Sequence, residues 1–324
     1  MKEFSAIVKN AGKFNERIKL AKGLILSLNN KKERDGVMGK STEYYGSYWF
    51  KSSRGDVIFK YAKPRPFNDT TKIQDCNEII CYNLAKQMGI NCAEYSSATL
   101  NNELNGIASK NFLKNDEKIV PLVSISPSLK NLEDIMSNLK HKDFLYNRIN
   151  YEQIYYSLYS YIIFDLLTYQ EDRHLNNISF IKDKNNNLKI APLYDNEYSF
   201  FVSTFLFGGA DTFNNVKDYV DNYFITGGLV TPFDMDKCYG LNGFDNVSNQ
   251  ILDIAKKDKK CDYILKNILK DANLRPIYDE LEKQGYEIDQ DYKEYTIQLL
   301  DFSRKRLCDL YKTSNKPKTE EAVK

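Results

Sequence analysis

The feature that most restricts the fold is the stretch Asp172-Arg173-His174-Leu175-Asn176-Asn177, which runs through Ile178 to Ala191 into Pro192-Leu193-Tyr194-Asp195-Asn196. Ile178-Ser179-Phe180-Ile181 is β-branched and aromatic and predicts a strand. Asp183-Lys184-Asn185-Asn186-Asn187 is turn chemistry, because Asn and Asp tolerate left-handed backbone angles. Leu188-Lys189-Ile190-Ala191 then predicts the return strand. A hairpin folded about Asn186 sets Asn177 and Asp195 opposite each other, each nine residues from the centre. Asp172 lies a short loop away. Two carboxylates and an amide oxygen at one edge suit Mg²⁺, a hard ion that takes oxygen ligands and shares them with phosphates.

Taken alone, the six-residue motif also fits an ordinary Asn-rich turn. The spacing to Asp195 across a hairpin is what lifts it above that reading. A Ca²⁺ loop beginning at Asp183 is a poor alternative, because its sixth position is Leu188 where glycine is needed.

The chain has 324 residues, enough for one large domain or a two-lobed one. A net charge of +2 gives no case for nucleic acid as the main partner. The basic run Lys256-Lys257-Asp258-Lys259-Lys260 reads as a solvated helix end. The six cysteines (76, 81, 92, 238, 261, 308) form no C-x-x-C, and His141 and His174 are the only histidines. A zinc site is therefore not expected, and buried thiols in a reducing compartment are. The start, Met1-Lys2-Glu3-Phe4-Ser5, has no apolar signal core, and no stretch approaches the ~20 apolar residues of a membrane span. The expectation is a soluble protein made in the cytoplasm without a signal peptide.

Along the chain, Tyr44 to Phe50 and Val57 to Ala62 predict strands. Ile73 to Met88 predicts an amphipathic helix stopped by Gly89. Cys92 to Leu100 and Gly106 to Leu113 predict two more strands. Beyond about Asn115 the pattern turns helical. Tyr151 to Thr168 has a broad apolar face and delivers the chain to Asp172. Tyr198 to Phe213 reads as a loop over the site. Helices are predicted over Val247 to Asp258, Asp262 to Asp271, Pro276 to Gln284 and Tyr292 to Tyr311. The expected fold is α+β and two-lobed, like a protein kinase. Residues 1–114 form a β-rich nucleotide-binding lobe with one helix, 115–314 a helical lobe with the catalytic and metal loops, and 315–324 a flexible tail.

Asp, then Asn five residues on, then a second Asp after a hairpin is the pattern of a kinase catalytic loop and metal loop. Phosphoryl transfer also needs a strand lysine on the nucleotide phosphates and a helix carboxylate to hold it. Lys60 and Glu78 are the candidates, although either also fits a solvent-facing surface position. Gly36-Val37-Met38-Gly39-Lys40-Ser41 is a candidate phosphate-covering flap. It is not a P-loop, because Arg34 stands where the first glycine belongs and β structure follows. His174 reads as a histidine tying backbone together. Arg173 is a candidate partner for a carboxylate or a phosphorylated residue.

With these residues the chain resembles the HipA-like kinases over roughly residues 35–310. The family's Asp-x-His-x-x-Asn loop stands here as Asp172-Arg173-His174-Leu175-Asn176-Asn177, and its Pro-x-Tyr-Asp segment as Pro192-Leu193-Tyr194-Asp195. The resemblance implies Asp172 as catalytic base, with Lys60 and Glu78 as its catalytic partners, and Asn177 and Asp195 as Mg²⁺ ligands. It implies an ATP site drawn from Gly36, Val37, Met38, Gly39, Lys40, Ser41, Lys60, Asn177, Asp195, His174 and Tyr194, with a hinge at Asn111, Phe112 and Leu113. The expectation is a compact form without the N-terminal region that engages antitoxin and DNA in toxin members. That compact form implies a stand-alone serine/threonine kinase that autophosphorylates, with Ser41 and Thr42 as candidate sites. It also implies export, translocation into host cells and action on host signalling proteins.

Two other functions stay open. Asp172-Arg173-His174-x-x-Asn177 also resembles the loop of phosphoinositide kinases, although Asp195-Asn196 matches their acidic pair only in its first member. A pseudokinase that binds nucleotide without turnover is the non-enzyme alternative.

Overall fold

The computed structural model describes residues 45–50, 57–62, 71–100, 104–114, 116–125, 135–137, 150–170, 173, 177–200, 243–284, 286 and 288–314. The expectations for Gly36–Ser41, Thr42, Asp172, His174, the tail and most of the Tyr198–Phe213 loop lie outside these residues.

β1 (Tyr45–Phe50), β2 (Val57–Ala62), β3 (Tyr95–Leu100) and β4 (Leu104–Lys110) form an antiparallel sheet in the order β1-β2-β4-β3. Successive strand side chains face opposite ways, and both Ile58 and Phe59 are buried, so β2 is covered on both faces. Gly106 on β4 lies against β2. A Cβ there would collide with the Lys60 carbonyl oxygen and come within 2.8 Å of the Phe59 ring. Only glycine lets the two strands approach this closely.

Helix α1 (Thr71–Gln87) packs on β2 and β3 and buries Ile79, Ile80, Leu84 and Ala85. Its end is a Schellman motif. Gly89 takes φ +72°, its N–H bonds Lys86 O at 3.2 Å, and Ile90 N–H bonds Ala85 O at 2.8 Å. The chain then runs past Leu193, exchanging two backbone bonds with it (Leu193 N to Asn91 O, 2.8 Å; Ala93 N to Leu193 O, 2.7 Å).

A second sheet joins β5 (Lys118–Pro121), β6 (Ser179–Lys182) and β7 (Leu188–Ile190) in that order. β5 departs from the helical reading of the chain beyond Asn115. Its four residues carry only Ile119 and Val120 as apolar signal, too short a run for alternation to register. One helical turn, α2 (Leu122–Ile125), follows.

The β6–β7 hairpin forms as expected, but one residue out of the expected register. Phe180 pairs with Ile190 and Lys182 with Leu188, so the ladder is centred on Asn185 rather than Asn186. The connection is a three-residue loop in which Asn186 takes φ +65°. Asp183 Oδ1 accepts from the amides of Asn185 and Asn187, both at 2.8 Å. The left-handed residue is therefore the last of the loop and not its middle. Continued outward, this register sets Asn177 across from Leu193 and not from Asp195.

Helix α3 (Tyr151–Thr168) is capped by Asn150, whose Oδ1 accepts from Gln153 N, and ends at Tyr169 with φ +48°. Its second half is buried all round, from Tyr161 to Thr168. The helices α4 (Gly243–Lys257), α5 (Lys259–Asp271), α6 (Arg275–Lys283) and α7 (Gln290–Ser314) complete the helical part, and α4, α5 and α7 pack against α3. α1 is tied to this part at two places: Gln87 Nε2 bonds the carbonyls of Asp271 and Asn273, and the Tyr292 hydroxyl bonds Asn77 Oδ1 at 2.5 Å. Among the described residues, no helix is long and apolar enough to cross a membrane, and Cys76, Cys81, Cys92, Cys261 and Cys308 form no disulfide.

Candidate active site

Three elements meet at Lys60. β2 carries it, α1 carries Glu78, and the segment after the hairpin carries Asp195 and Glu197. Lys60 Nζ lies 2.9 Å from Asp195 Oδ1, 3.4 Å from Glu78 Oε1 and 3.8 Å from Glu197 Oε2. The Glu78 side chain is fully buried, whereas that of Asp195 is 30% exposed, so Asp195 is the carboxylate open to a ligand.

The electrostatics follow from three carboxylates around one ammonium. Burial opposes the Lys60 charge, but Asp195 and, more weakly, Tyr95, Glu197 and Glu78 outweigh it and hold the ammonium well above the usual lysine range. Burial pushes the Glu78 carboxyl up, with Asp195 adding to it, against the pull of Lys60 and the Asn196 amide. Burial thus favours the neutral form of Glu78.

The backbone around Asp195 is fixed at every position. Asp195 takes φ +62°, a strained angle for a residue with a Cβ. Tyr194 O accepts from Arg173 Nη1 at 2.6 Å and Asp195 O from Gln170 Nε2 at 3.2 Å. Asn196 N donates to Glu78 Oε2 at 2.9 Å. Glu78 therefore holds Lys60 with one oxygen and the backbone just after Asp195 with the other. Asn77 Nδ2 bonds the carbonyls of Glu197 (2.9 Å) and Ser199 (2.7 Å). Cys81 and Cys92 flank Asn196, and burial pushes both thiols up, away from the reactive thiolate.

Of the residues expected at the site, Lys60, Glu78 and Asp195 are brought together directly. Asn177 is buried at the start of the hairpin. Its carbonyl and that of Tyr194 share Arg173 Nη1, which brings the two ends of the hairpin together although the ladder does not pair Asn177 with Asp195. Tyr194 packs its ring 6.1 Å from that of Phe112, and its hydroxyl meets Ser179 Oγ at 2.8 Å. Asn111, Phe112 and Leu113 leave β4 in a tight turn closed by Asn111 Oδ1 on the Leu113 amide, 3.0 Å. Arg173 meets a carboxylate, that of Asp165, rather than a phosphorylated residue.

Glu197, Asp165 and Gln170 had no place in the sequence expectations. The available signals were an acid two residues beyond Asp195, and a lone Asp in an apolar helix eight residues before an Arg. Oxygens of Glu78, Asp195 and Glu197 lie within 4.8 Å of one another. An all-oxygen, anionic donor set of this kind fits a hard divalent cation such as Mg²⁺.

A strand lysine joined to a helix glutamate and to an aspartate after a hairpin is the arrangement of a kinase nucleotide site. Residues 34–221, more than half of the chain, match the HipA-like C-terminal domain family. The chain belongs to the HipA-like kinase family. Its fold is shared with the crystal structure of CtkA, a proinflammatory kinase of Helicobacter pylori, at a TM-score of 0.62 and 18% identity over 88% of this chain and 93% of that one. It is also shared with HipA of Shewanella oneidensis MR-1, solved with HipB and operator DNA, at a TM-score of 0.50 and 15% identity over 90% of this chain and 71% of that one. No curated protein matches the chain. The two-lobed, α+β kinase-like architecture expected from the sequence is thus present, with the β1–β4 sheet and α1 as the small lobe.

Proposed function

We propose that this HipA-like chain is an ATP- and Mg²⁺-dependent protein serine/threonine kinase. The observation that carries the reading is Lys60 Nζ held between Glu78 on α1 and Asp195 after the hairpin. In this reading Lys60 binds the nucleotide phosphates and Glu78 keeps it aimed. Asp195 and Asn177 hold Mg²⁺, which when bound offsets phosphate charge. Asp172 takes the proton of the acceptor hydroxyl. Gly36–Ser41 covers the phosphates, Asn111, Phe112 and Leu113 line the adenine side, and His174 and Tyr194 complete the pocket. The lobes divide between residues 114 and 115, with the tail from 315.

Incubation with γ-labelled ATP and Mg²⁺, with a generic protein acceptor and with phosphoinositide vesicles, tests the reading. Label in protein, including the chain's own Ser41 or Thr42, is expected, and Asp172→Ala abolishes it. Label in lipid alone identifies a lipid kinase; nucleotide bound without turnover identifies a pseudokinase. Wild-type autophosphorylation by Asp172→Ala sinks the assignment of the base. By likeness to CtkA the proposal extends to a proinflammatory effector. Adding purified wild-type and Asp172→Ala protein to host cells tests it, with cytokine release expected from the wild type alone.

A further inference from the structure

Arg173 is fully buried and spends all of its hydrogen-bonding capacity. A guanidinium has five N–H donors in a fixed plane. Two go to Asp165 on α3, from Nε to Oδ2 at 3.0 Å and from Nη2 to Oδ1 at 3.1 Å. The other three go elsewhere: Nη1 to Tyr194 O at 2.6 Å and to Asn177 O at 3.4 Å, and Nη2 to Asn196 Oδ1 at 2.6 Å. A salt bridge serving stability alone would need only the first two. The remaining three fall on Asn177 itself and on the residues either side of Asp195.

We propose that Arg173 is a positioning residue that sets the spacing of Asn177 and Asp195 for a divalent cation, with Asp165 as the anchor that orients it from α3; this rests on the kinase reading above. Groups that orient a metal's ligands matter to binding: losing one typically costs about 10–100-fold in metal affinity. Asp195 needs such a partner because its left-handed backbone is held only by its surroundings. Lysine cannot substitute, since its three donors on a flexible stem do not span the five acceptors.

The test is binding of ATP, followed by fluorescence of a labelled analogue, as Mg²⁺ is titrated into wild type, Arg173→Lys and Asn196→Ala. Amide hydrogen exchange is read in parallel on the nucleotide-free proteins. For Arg173→Lys, metal-free ATP binding is expected to stay near wild type while the Mg²⁺ needed for half-saturation rises about tenfold, the low end for an outer-shell change. Asn196→Ala, which leaves the Asp165 pair intact, shifts the same midpoint in the same direction by about threefold, the scale of one lost hydrogen bond of the five. Exchange at residues 194–196 quickens in both. A folded Arg173→Lys with the wild-type Mg²⁺ midpoint overturns the inference and leaves Arg173 a core ion pair. If Arg173→Lys does not fold, an unchanged midpoint in Asn196→Ala overturns it instead. A wild type that binds no Mg²⁺–ATP removes the kinase reading. In that case the exchange data still decide whether Arg173 holds the segment.

Discussion

Lys60 Nζ and Asp195 Oδ1 stand 2.9 Å apart across 135 positions of sequence. The contact closes β2 onto the segment after the hairpin and leaves Glu78 as the third, buried member of the group. Removing the ammonium by Lys60→Met takes away the charge that faces phosphate, and transfer from ATP is expected to fall at least ~100-fold, the scale of a lost charge-stabilising group.

The same variant carries a pH signature. Glu78 already has its carboxyl pushed up by burial, and losing Lys60 raises it further. An acid with a raised folded-state value binds more protons folded than unfolded. Its contribution is therefore full below the ordinary carboxylate range and is lost as pH rises from there through the raised folded-state value. The melting deficit of Lys60→Met against wild type is expected to be larger at pH 8 than at pH 4. Equal deficits at the two values would show that Glu78 does not remain buried without a counter-charge.

Gly106→Ala acts on Lys60 from behind. The new Cβ collides with the Lys60 carbonyl and the Phe59 ring, so β2 must shift at the position that aims the ammonium. Overpacking of this kind costs about 1–3 kcal/mol. Chemical denaturation and labelled-ATP transfer should both decline, and a variant stable but inactive would locate the effect in Lys60 placement.

In the proposed Mg²⁺ site, Glu197 and Asn177 are rival candidates for the second ligand beside Asp195. Glu197 Oε2 lies 3.8 Å from Lys60 and its oxygen belongs to the carboxylate cluster, whereas Asn177 reaches the site through Arg173. Glu197→Gln and Asn177→Ala are to be compared in a Mg²⁺ titration of ATP binding. If Asn177 is the ligand, as the proposed site has it, Asn177→Ala raises the midpoint about tenfold or more and Glu197→Gln about threefold. The reverse order transfers the role to Glu197. Chelation of Mg²⁺ is expected to abolish transfer in wild type.

Much of this site was legible because its signals are local. The hairpin residues from Ile178 to Ala191, the strand around Lys60 and the helix around Glu78 each carry their own periodicity. The linkage Lys60–Glu78–Asp195 could be guessed from element order. Other parts were not legible because distant groups decide them. The register of β6 on β7 turned on which of Asn185 and Asn186 sits at the loop centre, and one residue of error moves Asn177 from Asp195 to Leu193. Asp165 looks anomalous on an apolar helix until Arg173 is placed beside it. β5 exists because β6 offers it an edge, and four residues contain too little pattern to announce that.

The last prediction concerns how α1 is held. The Tyr292 hydroxyl on α7 donates to Asn77 Oδ1, and Asn77 Nδ2 in turn donates to the carbonyls of Glu197 and Ser199. Tyr292→Phe leaves the buried Asn77 oxygen without that donor, a cost of about 1–3 kcal/mol. Asn77→Ala removes both ends of the relay at once. Because the two residues act through one another, their effects are expected to be non-additive by about 0.5–3 kcal/mol in a double-mutant cycle read by denaturation. The functional consequence is directional: each single variant loosens the segment that carries Asp195 and Glu197, so each should weaken Mg²⁺-dependent ATP binding more than metal-free binding. Additive energies together with an unaltered Mg²⁺ response would mean that α7 supports α1 without communicating with the site.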